Sequence, residues 1–221
     1  MNYNLQTDEL LNTASDCICL PIFSDDQVLC KLGQQVDEAC AQKITKAISR
    51  YEISRDTGKA FTLPVEGQNF SRILLIGFGD SQKLNSETLK KSISVLSSEI
   101  KDTNINSICI AFSQLPETLQ AEQTIREVIT TLETSRYSFD QFKTKKTPES
   151  LLSEISFHCE KDQDNHSNAI ELAKAQVVGM NTARDLGNLP GNVCTPSYLA
   201  DQAQTLADKS KNFNVKILEE S

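Results

Sequence analysis

The chain has 221 residues, 38% hydrophobic and 24% charged, enough for one large globular domain or a medium domain with an added piece. A net charge of −8 at pH 7 argues against general nucleic-acid affinity, which comes mainly from Lys and Arg neutralising phosphates. No apolar run approaches the roughly 20 residues of a membrane helix, and residues 1–10 lack the basic and apolar stretches of a secretory signal.

No membrane partner is therefore expected, and the chain reads as cytoplasmic. Its seven cysteines are scattered and odd in number. In a reducing compartment they are small buried hydrophobes, not a disulfide framework.

The predicted elements alternate between strand and helix. Residues 17–23 form a nearly continuous apolar strand, suited to a sheet interior covered on both faces. Val36, Cys40, Ile44, Ala47, Ile48 and Tyr51 then recur at helical spacing. Residues 60–63 make a short strand that Pro64 ends, and 72–78 a second buried strand centred on Ile73-Leu-Leu-Ile76. Leu89, Ile93, Leu96 and Ile100 mark the face of a helix capped by Asn85 or Ser86. Residues 108–112 are a further buried strand. Ile125, Val128, Ile129 and Leu132 mark a third helix starting a little after Pro116.

In residues 151–159, Leu151, Ile155, Phe157 and Cys159 alternate with polar residues, which predicts a strand with one face in water at a sheet edge. A long helix follows, from about 167 to 186. This order predicts an α/β fold in which helices sandwich a mixed, largely parallel sheet. The polar cluster at 162–165 places the main boundary. Residues 1–164 then form an N-terminal α/β domain, and 165–221 a linking helix and the beginning of a truncated second domain.

In that last part, Thr195 is placed to cap a new helix and Pro196 to occupy its first position. Leu199, Ala203 and Leu206 give the helix an apolar face, and Phe213, Val215 and Ile217 alternate as in a strand.

The candidate chemistry is sparse. Gly77-Phe-Gly79-Asp80 follows a buried strand, but a dinucleotide fingerprint needs a third glycine where Gln82 stands, so a tight turn is the better reading. The stretch from His158 through Cys159, Glu160, Asp162 and Asp164 to His166 is the richest in ligand-type residues. It lacks the paired Cys/His spacing of zinc sites. As a calcium loop starting at Asp162 it puts Ser167 where glycine is required and Ala173 where glutamate belongs. His158 is expected to face solvent.

There is no Gly-x-Ser-x-Gly elbow, and a nucleophilic site would have to use one of those two histidines as its base. Lys143, Lys145 and Lys146 read as a solvated loop edge. Tyr137, Phe139 and Phe142 read as pinning a loop to the core, with a subunit contact as the alternative. Arg184 reads as a structural ion pair or cap beside Asp185.

Two stretches carry a resemblance. Residues 184–200, with Arg184-Asp-Leu, Asn188, Pro190, Asn192, Thr195-Pro196 and Leu199-Ala200, resemble the junction segment of the leucyl aminopeptidase family of cytosolic di-metal exopeptidases. Tyr137, Phe139-Asp140 and Phe142-Lys143 resemble that family's aromatic run near the end of its N-terminal domain.

The resemblance implies a macro-like N-terminal domain in a hexameric enzyme. Such an enzyme removes N-terminal amino acids from peptides with two divalent ions, Zn or Mn. The family's metal-binding and catalytic motifs lie in its C-terminal domain, and neither Lys-Gly-x-x-Phe-Asp-x-Gly-Gly nor Asn-Thr-Asp-Ala-Glu-Gly-Arg occurs here. No catalytic, cofactor-binding or metal residue is therefore assigned to this chain. It is expected to be inactive alone, to bind no metal, and to serve an accessory or oligomerisation role, meeting peptide substrates only through the missing catalytic domain. The alternative is a stand-alone macro-type module binding ADP-ribose or a nucleotide through backbone amides of glycine-rich loops.

Overall fold

The computed structural model describes residues 1–25, 29–50, 53–101, 103–111, 115, 120–146, 148, 150–159, 163–209 and 212–218. The expected contributions of Tyr51, Phe112 and Pro116, and Glu160 to Asp162 of the histidine stretch, lie outside these residues. The elements in chain order are β1 (Asn2–Gln6), β2 (Cys17–Ile22), α1 (Lys31–Ala39), α2 (Lys43–Ser49), β3 (Ala60–Pro64) and β4 (Arg72–Gly77). They continue with α3 (Ser86–Ile100), β5 (Ser107–Ile110), α4 (Ala121–Arg136), β6 (Glu154–His158), α5 (Gln163–Asn188) and α6 (Pro196–Asp208).

The six strands form one sheet in the order β1-β6-β5-β2-β4-β3. Every neighbouring pair is parallel except β3 with β4. The fold is therefore α/β with a largely parallel sheet. Alternate residues of a strand point to opposite faces, and this chain makes both faces apolar. Cys17, Cys19, Leu74, Ile76, Ile108, Ile110, Ile155 and Phe157 pack with Leu89, Ile93 and Leu96 of α3, Val128 and Leu132 of α4, and Ile170 and Ala173 of α5. On the other face Ile18, Leu20, Ile22, Ile73 and Leu75 pack with Val36, Ile44 and Ala47 of α1 and α2.

Pro21 sits inside the central strand, where a missing donor is normally excluded. The β2–β5 ladder ends at Cys19↔Ile110, while β2–β4 pairing runs on to Ile22↔Gly77. The Cys19 carbonyl accepts from Ala111 on the β5 side, and the Ile22 carbonyl accepts from Phe78 on the β4 side. By this alternation the Pro21 nitrogen points to the side where pairing has already stopped.

The edge expected at residues 151–159 is instead β1, which pairs with β6 from Asn2↔Glu154 to Gln6↔His158. To reach β2 from the sheet edge, the β1–β2 connection must pass β6 and β5, and its Leu10 joins the same buried cluster as Cys109 of β5. Ser156 and His158, expected in water, are accordingly buried at 8% and 4% exposure, and only Glu154 of that polar row is exposed.

The apolar positions from Val36 to Ile48 belong to two helices, not one. Ala41 and Gln42 between them adopt φ of 56° and 58°. Left-handed backbone at non-glycine residues is unfavourable by about 1 kcal/mol or more each, and buried Asp37 offsets it. Its carboxylate accepts the Ile44 amide at 2.7 Å, the Thr45 amide at 3.2 Å and the Thr45 hydroxyl. It thereby supplies the acceptor that the α2 N-terminus lacks, since Gln42 makes no side-chain cap. Asn85, by contrast, caps α3 in a full capping box with Thr88.

Two compact units emerge, Met1–Val177 and Val178–Ser221. The first holds the sandwich. In the second, Thr195 caps α6 through the Tyr198 amide at 3.2 Å, and Pro196 takes the first helical position. Helix α6 has no buried residue. Phe213, Val215 and Ile217 form no strand and are exposed, because among the described residues no neighbour takes their backbone groups.

Asp37→Ala should lower stability by about 2 kcal/mol, the upper range for a lost helix cap, read as a reduced urea midpoint with unchanged slope. Asp37→Asn, which keeps one acceptor oxygen, should lose less.

Candidate functional site

The turn after β4 is built by close approach. A Cβ on Gly77 would collide with the Asp56 carbonyl, and one on Gly79, at φ +73°, with the Thr57 hydroxyl. The amides that would cradle a phosphate already have partners. Gly77 donates to the Lys59 carbonyl at 2.7 Å, Phe78 to that of Ile22 at 3.0 Å, and Gly79 to that of Arg55 at 3.0 Å. The Ser81 amide goes to the Asp25 carboxylate at 2.8 Å and the Gln82 amide to Asp80 at 3.0 Å. Those Ser81 bonds hold the Asp25 carboxyl below its ordinary value. Two carboxylates bonded to the loop amides suit a structural turn and repel a phosphate.

The described residues of the histidine stretch do not converge. His158 ends β6 facing the α1/α2 side, whereas Cys159 packs into the opposite cluster. His166 is buried in the early part of α5. Among the described residues no group of three or more His, Cys, Asp or Glu is arranged to hold a metal.

All seven thiols are free. Burial pushes Cys17 up to about 12, Cys109 to about 11 and Cys159 to about 12, and raises Cys19 and Cys40 as well. Burial thus keeps these thiols protonated and poorly nucleophilic. A two-metal centre does not fit the residues described here.

The aromatic loop departs from expectation. Tyr137 and Phe139 are half-buried, but Phe142 is 56% exposed and packs on Phe139, ring centroids 6.0 Å apart, not on the core. Lys143 is tethered to Asp140 at 2.7 Å, while Lys145 and Lys146 are exposed. Arg184 and Asp185 lie on α5 in the second unit.

One cavity was not foreseen. A cleft of about 480 Å³ lies where β1 and β6 end, between residues 7–11 and helix α1, and His158 is part of its lining. It escaped notice because β1 did, although Tyr3 and Leu5 alternate with polar neighbours. That was the available signal.

Comparison with known proteins decides the family. The sequence model for the N-terminal domain of the cytosol aminopeptidase family matches residues 19–146. The chain belongs to that family. A probable cytosol aminopeptidase of Burkholderia multivorans is 34% identical over 201 residues, covering 89% of this chain and 40% of the relative. One of Histophilus somni is 32% identical over 224 residues, covering the whole chain and 45% of the relative.

Among solved structures, a mutant tomato leucine aminopeptidase matches 95% of the chain and 42% of its own length, with TM-score 0.78 at 20% identity. The bottromycin maturation enzyme BotP in complex with Mn matches 89% of the chain and 37% of its own length, with TM-score 0.65 at 16% identity. These structures show the shared fold. The chain spans less than half the length of the relatives it matches, and corresponds to an N-terminal region of the family. No helix among the described residues is long and apolar enough to cross a membrane.

The buried thiols make stability pH-dependent in a definite sense. Above their ordinary value of 9.0 the unfolded chain releases protons that folded Cys17, Cys109 and Cys159 retain. Their contribution is complete below pH 9 and is lost as pH rises, by about 1.4 kcal/mol per unit per thiol. Urea midpoints should hold from pH 7 to 8 and fall steadily between 9 and 11, and Cys17→Ala should flatten that slope.

Proposed function

We propose that this chain is the non-catalytic front portion of a metallo-aminopeptidase that removes N-terminal amino acids from peptides. Residues 1–164 are its N-terminal domain, and 165–221 a linking helix with the start of the catalytic domain. The carrying observation is that the family match falls on the N-terminal domain, over residues 19–146, while the relatives extend to more than twice the length of this chain. In this reading the whole protein is a cytoplasmic homo-oligomer, a hexamer, using two Zn or Mn ions whose ligands lie outside these 221 residues.

The segment's own role is accessory: shaping access to the catalytic domain and supporting assembly. The bonding of the Gly77, Phe78, Gly79, Ser81 and Gln82 amides to carbonyls and carboxylates supports this reading over a stand-alone nucleotide-binding module.

Purified chain of this length should release no p-nitroaniline from leucine p-nitroanilide with Mn²⁺ or Zn²⁺, whereas a chain extended to the relatives' length should do so. Micromolar Mn²⁺ should leave the melting temperature of the 221-residue chain unchanged, since only a ligand of the native state raises it. Turnover by the short chain, or a clear upward shift, would overturn the assignment. Heat on titration with ADP-ribose would favour the nucleotide module.

A further inference from the structure

Aminopeptidases take residues from the amino end of a chain, and this 221-residue chain presents such an end of its own, Met1-Asn-Tyr-Asn-Leu-Gln6. Its sequence holds no barrier to trimming. No proline occurs before Pro21, so no imide bond, with its ring-fixed backbone, interrupts the leading segment.

The fold supplies what the sequence lacks. Terminal residues are loose in most domains unless a sheet or a docked helix ties them down. Here the tie begins at the second residue. The Asn2 amide, which is the nitrogen of the first peptide bond, donates to the Ser153 carbonyl at 2.8 Å. Strand β1 then pairs with β6 from Asn2↔Glu154 to Gln6↔His158, and the Gln6 carbonyl accepts the Cys159 amide at 3.0 Å. Side chains reinforce the ladder. Tyr3 is 7% exposed, stacks on Phe157 with ring centroids 6.4 Å apart, and donates its hydroxyl to Glu133 of α4 at 2.8 Å. The Asn4 side-chain amide donates to the Glu154 carboxylate at 3.0 Å, and Met1 and Leu5 pack against the same buried cluster as Tyr3.

An exopeptidase must grip the chain on both sides of the bond it cleaves, and the nitrogen of that bond must take up a proton as it leaves. In the folded chain that nitrogen is held against Ser153 and the residue after Asn2 is buried. Cleavage therefore requires β1 to leave the sheet, and its rate follows the fraction of molecules in which β1 has peeled away. Tyr3 is the one β1 residue bonded to a helix, so it sets that fraction more than its neighbours do. We propose that β1, anchored through Tyr3, guards the amino end of this chain against trimming by aminopeptidases, copies of its own kind included. The resistance is a property of the fold. Its purpose as self-protection rests on the aminopeptidase reading.

The test incubates the untagged 221-residue chain, starting at Met1, with a purified cytosol aminopeptidase of another species. Intact mass is followed beside that of a synthetic peptide of residues 1–10. The peptide should shorten stepwise while the folded chain keeps Met1. Tyr3→Phe keeps the ring and removes a hydrogen bond to a charged group, which should speed trimming about tenfold or more. Tyr3→Ala, which also removes the stacking on Phe157, should speed it further, with circular dichroism checking that the sheet persists. Tyr3→Phe alone decides the matter if Tyr3→Ala does not fold. Three outcomes would overturn the proposal: the folded chain trimmed as fast as the peptide, the peptide as resistant as the folded chain, or Tyr3→Phe trimmed no faster than the original. Inactivity of a chain extended to the relatives' length would instead remove the peptidase reading and leave the measured resistance standing.

Discussion

Strand β2 is paired with β4 on one side and β5 on the other, and all six of its residues are buried. A parallel strand cannot turn back on its neighbour, so each connection must cross a face of the sheet and bring apolar cover with it. Helices α3, α4 and the first part of α5 cover one face and α1 with α2 the other. The dryness of β2 is thus the constraint from which the layers follow. It also explains Cys17, Cys19 and Cys109, which are buried in the sheet and stay protonated there because water is excluded.

The same economy of polar groups shapes the loops. Where a nucleotide-binding α/β protein would leave amides free, the turn after β4 ties them to carbonyls of the preceding segment and to Asp25 and Asp80. A cleft among the described residues lies elsewhere, where β1 and β6 end, and its lining includes Asp8 and Glu9, each bonded to a neutral side-chain amide.

Much of this was legible in the sequence. Cys17 to Ile22, Ile73 to Ile76 and the apolar faces of α3 and α4 are uninterrupted patterns that only a two-sided core satisfies. Thr195-Pro196 and Asn85 announce their helices through capping chemistry. What escaped depended on long-range partners. Strand β1 is short and polar on one face, and its placement beside β6 decides whether Ser156 and His158 meet water. The interruption at Ala41 and Gln42 follows from a bond between Asp37 and residues seven and eight positions on, which helical periodicity cannot register. The alternation of Phe213, Val215 and Ile217 states a preference for extended chain but cannot supply the strand it would pair with. The candidate cleft was invisible for the reason β1 was.

The Asp37 arrangement also gives the molecule an internal clock. Ile44 and Thr45 donate their amides to a side chain and not to a helix carbonyl, so their protons are released to solvent when the α1–α2 corner loosens, without any need for the sheet to come apart. Deuterium uptake at those two positions separates breathing of this corner from dissolution of the β2 ladder, whose amides open only with the whole domain.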